Sequence, residues 1–249
     1  MVKHVLKYQP PRSLTSPSPL DPEGGLPHQI PMTALPALDG PLIPPASGGA
    51  PKSLVILLHG YGSNGEDLIG LVPHWRHAFP DTLFISPNAP QICPGAPGGY
   101  QWWPITSMDP QSRIAGARAA APLLAAFIDA QLARYGLSED KLALVGFSQG
   151  TMMALQVGLR RPRPVAGILG YSGMLADEGG LSEITNRPPI LLIHGDADPM
   201  VPVAAFHHAG ATLQGLGYEV GGHVSPGLGH SIDLDGLQMG GNFLHKVLN

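Results

Sequence analysis

The 249-residue sequence predicts an α/β domain built on a doubly wound, mostly parallel sheet with helices on both faces. Three observations predict it. Short β-branched and leucine runs alternate along the chain with longer segments of helical periodicity. The strand-like runs are apolar at nearly every position, as strands covered on both faces must be. Four segments rich in glycine and polar side chains follow such runs directly, at 59–65, 146–150, 194–199 and 229–230. In a parallel sheet these gather beyond the carboxyl ends of the strands, where ligands bind.

Composition narrows the function classes. With 43% apolar residues the chain can bury a sizeable core. Only 13% of residues are charged and the net charge is −4, so no basic surface for nucleic acid or anionic lipid is expected. The single cysteine, Cys93, rules out an intrachain disulfide and suits a reducing, cytoplasmic setting. No apolar run reaches the roughly 18 residues of a membrane span. Lys3, His4 and Lys7 are not followed by an apolar stretch, so no secretory signal is expected.

The elements follow in chain order. Residues 1–50 hold eleven of the 28 prolines. Residues 2–8 could pair as an edge strand; beyond them proline prevents regular structure. Residues 1–37 therefore read as a Pro-rich extension, either an arm lying on the domain or a disordered tail. The domain itself runs over 38–249. Residues 53–58 form a buried strand. A helix with Leu68, Leu71, Val72, Trp75 and Phe79 follows, broken near Pro73. Residues 82–86 are the next strand. A long Gly/Pro-rich loop runs to Pro110 and carries Tyr100-Gln101-Trp102-Trp103-Pro104. Loops this long are functional or disordered, and two adjacent tryptophans argue against disorder. Asp109-Pro110 reads as a helix start, with aspartate as cap and proline in the first turn. That helix buries Ile114, Ala117, Ala121, Leu124, Ile128 and Leu132, and Pro122 should kink it. Strands at 141–145, 165–171, 189–193 and 219–224 alternate with helices at 151–159 and 204–216. A last helix carries Leu237, Phe243, Leu244 and Val247.

The organising stretch is Gly146-Phe147-Ser148-Gln149-Gly150, between the 141–145 strand and the 151–159 helix. It matches the nucleophile elbow G-x-S-x-G, a strand-to-helix turn that exposes a serine. Flanking glycines leave room for the turn, and the helix N-terminus directs N–H groups at developing negative charge. The pattern also fits an ordinary glycine-rich loop, so its context decides. Gly60-Tyr61-Gly62-Ser63-Asn64-Gly65 has the wrong glycine spacing for a dinucleotide fingerprint, and no Gly-Lys-Ser/Thr follows it.

Taken together, Leu58-His59-Gly60-Tyr61-Gly62, Gly146–Gly150, His194-Gly195-Asp196-Ala197-Asp198-Pro199-Met200-Val201-Pro202 and Gly229-His230-Ser231-Ile232 resemble the phospholipase/carboxylesterase family of α/β-hydrolases, which includes acyl-protein thioesterases. The resemblance covers the chain from about residue 38 onward. The Tyr100–Pro104 stretch is closer to a bacterial esterase branch. Met200 stands where the family most often has valine. The family implies a serine carboxylesterase with no cofactor, no metal and no large cap domain. Its substrates would be short- to medium-chain esters, cleaved through an acyl-enzyme by a monomer or homodimer. Alternatives within the family are acyl-protein thioesterase and lysophospholipase. An alternative of another class is a non-catalytic binding protein of the same fold, which would usually lack part of the triad.

Roles follow. Ser148 is the nucleophile and needs a base. His230, in the glycine-rich loop after the last strand, is the expected base, in the chain order Ser, Asp, His. His59 and His194 end strands and are expected to make structural hydrogen bonds. Both Asp196 and Asp198 could orient the imidazole; the family motif places the acid at Asp198, leaving Asp196 as a turn residue. The resemblance supports the backbone N–H groups of Tyr61 and Gln149 as oxyanion donors. Trp102, Trp103, Ile105, Met174 and Leu175 are expected to line an apolar acyl pocket, although the tryptophans could equally pack the loop onto the domain.

Overall fold

The computed structural model describes residues 38–107, 109–184 and 186–249. The expected extension over 1–37, with its edge strand at 2–8, lies outside the described residues. The strands are β1 (Leu42–Ile43), β2 (Ser53–Leu58), β3 (Thr82–Ile85), β4 (Gln91–Ile92), β5 (Tyr100–Gln101), β6 (Leu142–Phe147), β7 (Gly167–Tyr171), β8 (Ile190–Gly195) and β9 (Val220–Ser225). The α-helices are α1 (Gly65–Ile69), α2 (Pro110–Tyr135), α3 (Gln149–Gly158), α4 (Val203–Gly215) and α5 (Leu234–Leu248).

Seven strands form one sheet in the order β1-β3-β2-β6-β7-β8-β9. Every neighbouring pair is parallel except β1 with β3. Both faces are covered, and the strand periodicity of two sorts the side chains between them. Leu54, Ile56, Leu58, Leu142 and Leu144 point to the face packed by α2, α3 and α4. Val55, Leu57, Ala143 and Val145 point to the face packed by α1 and α5. This alternation within all-apolar runs is why the central strands carry no polar stripe.

Several local expectations resolve in detail. The segment around Pro73 breaks as expected: α1 stops at Ile69 and two 3₁₀ turns, Val72–His74 and Arg76–Ala78, carry Trp75 and Phe79 into the core. Trp75 Nε1 donates to Leu237 O at 3.0 Å, tying that segment to α5. Asp109 caps α2 by accepting from Ser112 N–H at 2.9 Å, with Pro110 opening the helix. The helix then continues through Pro122 without interruption. Pro122 and Arg118 are both exposed, so the carbonyl deprived of its donor can turn to water. The long loop is not structureless. It contains the β4–β5 hairpin, with Gln91 opposite Gln101 and Ile92 opposite Tyr100. No described helix is long and apolar enough to cross a membrane.

Candidate active site

Strand β6 ends at Phe147 and α3 starts at Gln149, so Ser148 alone makes the turn. It does so at φ 55° and ψ −116°, a conformation a side chain adopts only under strain of about 1–3 kcal/mol. Surrounding bonds hold it there. Ser148 N–H donates to Tyr171 O at 2.9 Å, and Ser148 O accepts from Met152 N–H at 3.2 Å. Thr151 Oγ1 sits 2.8 Å from both Gly146 O and Tyr171 O, joining the elbow to β7. The flanking glycines serve close approach. A Cβ on Gly150 would lie 1.7 Å from Leu58 O, and one on Gly146 would lie 2.4 Å from Gly150 O.

Two strands along, β8 delivers Asp196-Ala197-Asp198 at the same sheet edge. Asp198 is buried and its carboxylate is fully engaged. Oδ1 accepts from Met200 N–H at 2.8 Å and Val201 N–H at 2.9 Å, and Oδ2 lies 2.7 Å from His230 Nδ1. Burial raises the Asp198 pKa, but the imidazole of His230 and the two N–H groups outweigh it and hold the carboxyl below its ordinary value. An ionised carboxylate only accepts, so His230 Nδ1 carries the hydrogen of this bond. The imidazole lies against the Phe147 ring, centroids 4.9 Å apart. Its loop is pinned where Ser172 Oγ donates to Ser231 O at 3.3 Å. Asp196 is exposed and accepts from Gly227 N–H at 2.6 Å, bracing the turn rather than the histidine. Ser148 Oγ makes no hydrogen bond among the described residues.

The other strand-end histidines hold backbone. His59 Nε2 accepts from Ala89 N–H at 2.9 Å and Nδ1 donates to Gly60 O at 2.8 Å, which fixes it neutral; burial lowers its pKa. His194 Nε2 donates to Val201 O at 2.8 Å, steadying the loop after Asp198.

Gln149 contributes twice. Its backbone N–H opens α3, where no intrahelical acceptor exists. Its buried side chain clamps the tryptophan loop: Oε1 accepts from Trp102 N–H at 2.9 Å and Nε2 donates to Trp103 O at 3.0 Å. Tyr61, in the loop after β2, also has a backbone N–H with no partner among the described residues.

Ser148, Gln149, His230 and Tyr61 all border one cavity of 380 Å³, within the range of small-molecule sites. Trp103, Ile105, Met174 and Met200 line it as well. Trp102 and Leu175 do not, which corrects their expected place in the pocket. Trp102 is 1% exposed, and its Nε1 donates to His59 O at 3.0 Å, so it is a core residue under the loop. Leu175 is buried in the core beside α3. Six lining residues escaped the sequence reading: Pro104, Ser107, Ser112, Arg113, Met152 and Val201. Val201 sits inside a quoted motif. Met152 follows Ser148 by one helical turn, a spacing that could have signalled it. Arg113 had no signal, because only the fold brings the start of α2 to the elbow.

Residues 45–248 match the Phospholipase/Carboxylesterase family. Acyl-protein thioesterase 1 of Gibberella zeae is 31% identical over 84% of this chain and 95% of its own. Esterase YpfH of Escherichia coli is 29% identical over 75% of this chain and 79% of its own. Among solved structures, esterase PE8 is 48% identical with a TM-score of 0.82, covering 85% of this chain and 100% of its own. The family match spans most of the residues described above, all four sheet-edge segments among them, and by it the chain belongs to the phospholipase/carboxylesterase family of serine hydrolases with the α/β-hydrolase fold.

Proposed function

We propose that this hydrolase cleaves short- to medium-chain carboxylic esters with a Ser148–His230–Asp198 triad. The reading is carried by one observation: His230, 2.7 Å from the buried Asp198, borders the same cavity as Ser148 on its strained elbow. His230 Nε2 takes the Ser148 proton as Oγ attacks the ester carbonyl carbon. The carbonyl π electrons move onto oxygen, and the oxyanion is received by the N–H groups of Tyr61 and Gln149. Collapse breaks the bond to the leaving alkoxide, which takes the proton from Nε2. Water then attacks the acyl-Ser148 by the same route and releases the acid. Asp198 stays ionised throughout and stabilises the transient imidazolium.

The named relatives favour a second reading of the same site, acyl thioesters, whose cleavage needs the same groups. A cytoplasmic setting is part of the proposal, supported by the single, buried cysteine, and so is a monomer or homodimer. A fluorophosphonate probe should label the wild type and not Ser148→Ala. p-Nitrophenyl butyrate turnover should fall by several orders of magnitude in that variant. Retention of more than about a tenth of wild-type turnover would remove Ser148 from the role. The ratio of ester to acyl-thioester kcat/KM decides between the two substrate readings.

A further inference from the structure

The cavity that holds Ser148 contains one formally charged side chain among the described residues, Arg113, and no carboxylate. Arg113 lies in the first turn of α2 and is only partly exposed. Its Nε is shut off from solvent with no hydrogen-bond partner. The guanidinium forms no ion pair among the described residues and lies over no aromatic ring.

The carboxylate nearest in sequence is already engaged. Asp109 accepts from Ser112 N–H at 2.9 Å, from Ser112 Oγ at 2.7 Å and from Ser107 Oγ. Arg118, on the same helix, shows what this protein does with an arginine of structural use: it meets Asp177 with two bonds, at 2.7 and 2.9 Å. A guanidinium with an enclosed, unpaired donor lowers stability. The enclosed Nε is out of a ligand's reach as well, but the Nη groups are not shut off and make no hydrogen bond among the described residues, so they are the donors a ligand in the cavity can meet.

We infer that Arg113 is a specificity residue that receives a carboxylate borne by the ester substrate, in the cavity where Ser148 attacks. This rests on the esterase reading of that site. The chemistry favours a carboxylate, because the paired Nη donors of the planar guanidinium match its two oxygens. Apolar side chains such as Trp103, Ile105 and Met174 make up much of the cavity wall, and Ser107 and Ser112 also line it. Its substrates are then half-esters of dicarboxylic acids, or esters whose alcohol carries the acid group.

Two substrate pairs separate those sources. Mono-4-nitrophenyl glutarate against its methyl ester places the charge on the acyl half. 3-Carboxyphenyl butyrate against phenyl butyrate places it on the alcohol half. For each pair the ratio of kcat/KM, anionic over neutral, is measured in the wild type, Arg113→Met and Arg113→Lys. In at least one pair Arg113→Met should lower the ratio about tenfold or more, mainly through KM of the anionic ester. Arg113→Lys, which keeps the charge without the paired donors, should fall between. The melting temperature of Arg113→Met should hold or rise, since an unpaired cation is removed.

Unchanged ratios in both pairs would overturn the inference, and so would a melting temperature lowered by more than about 5 °C, which marks a structural arginine. Failure of the wild type on all four esters, or activity surviving in Ser148→Ala, would instead sink the reading of the site itself.

Discussion

Asp196 and Asp198 stand two residues apart on one loop, and their surroundings divide the work between them. Asp198 is buried against His230 and holds two backbone N–H groups, so its carboxylate is both oriented and kept ionised. Asp196 is exposed and bonds only the Gly227 N–H of the loop opposite. The amide of Asp198→Asn can still accept from one side but no longer favours the imidazolium. Ester kcat should drop on the order of a thousandfold or more, with the fold retained. Asp196→Asn keeps an acceptor oxygen for Gly227 and should stay within about tenfold of wild type. Steady-state kinetics on one p-nitrophenyl ester, with circular dichroism as a folding control, check both. A reversed ranking moves the acid to Asp196. At this scale the sequence was most informative about residues whose neighbours in sequence are also their neighbours in space. Ser148 is fixed by its own elbow. Trp102 is not: its burial depends on His59 O and on Gln149, 43 and 47 residues away.

At the scale of elements, all-apolar strands ending in polar glycine-rich turns were legible because burial on two faces leaves an unmistakable run. What was not legible is short. Strand β1 is two residues between prolines, and pairs antiparallel with β3 only because the fold brings it there. The β4–β5 hairpin is equally short and sits in a stretch whose proline and glycine content reads as loop. Its position matters for the site, since the tryptophan loop that follows it is carried on the Gln149 side chain. Gln149→Leu keeps the backbone N–H of the elbow but strands the buried Trp102 N–H and Trp103 O. The expected cost is about 1–3 kcal/mol of stability. The loosened loop should raise KM more than it lowers kcat, because Trp103 and Ile105 form part of the cavity wall. An unchanged KM with normal thermal stability would show that the clamp does not position the loop.

Across the molecule, buried carboxylates set the response to acid. Asp177 lies in the segment after β7 and is 3% exposed. It accepts from Arg118 of α2 at 2.7 and 2.9 Å and from Gly179 N–H at 2.9 Å, with Arg160, just beyond α3, at 3.5 Å. Burial raises its pKa, but Arg118, the Gly179 N–H and Arg160 outweigh that and hold it below the usual carboxylate range. Glu139, before β6, is likewise held low against burial by its own backbone N–H, Arg163 and Arg161. A carboxyl depressed in the folded state contributes stability above its unfolded value of roughly 4 and loses it as pH falls through the folded value. The melting temperature should therefore vary little from about pH 8 to 5 and fall steadily below about pH 4. Asp177→Asn tests the share of this one group. Half of the Arg118 side chain is in water, which limits the cost, so the loss at pH 7 should be about 1–3 kcal/mol, or several degrees. An asparagine cannot be protonated in this range, whereas aspartate progressively becomes as neutral as its replacement. The gap between wild type and variant should thus close as pH drops toward 3. Differential scanning calorimetry at a series of pH values reads it directly, and a gap that is as wide in acid as at neutrality would show that Asp177 is held by packing and not by its charge.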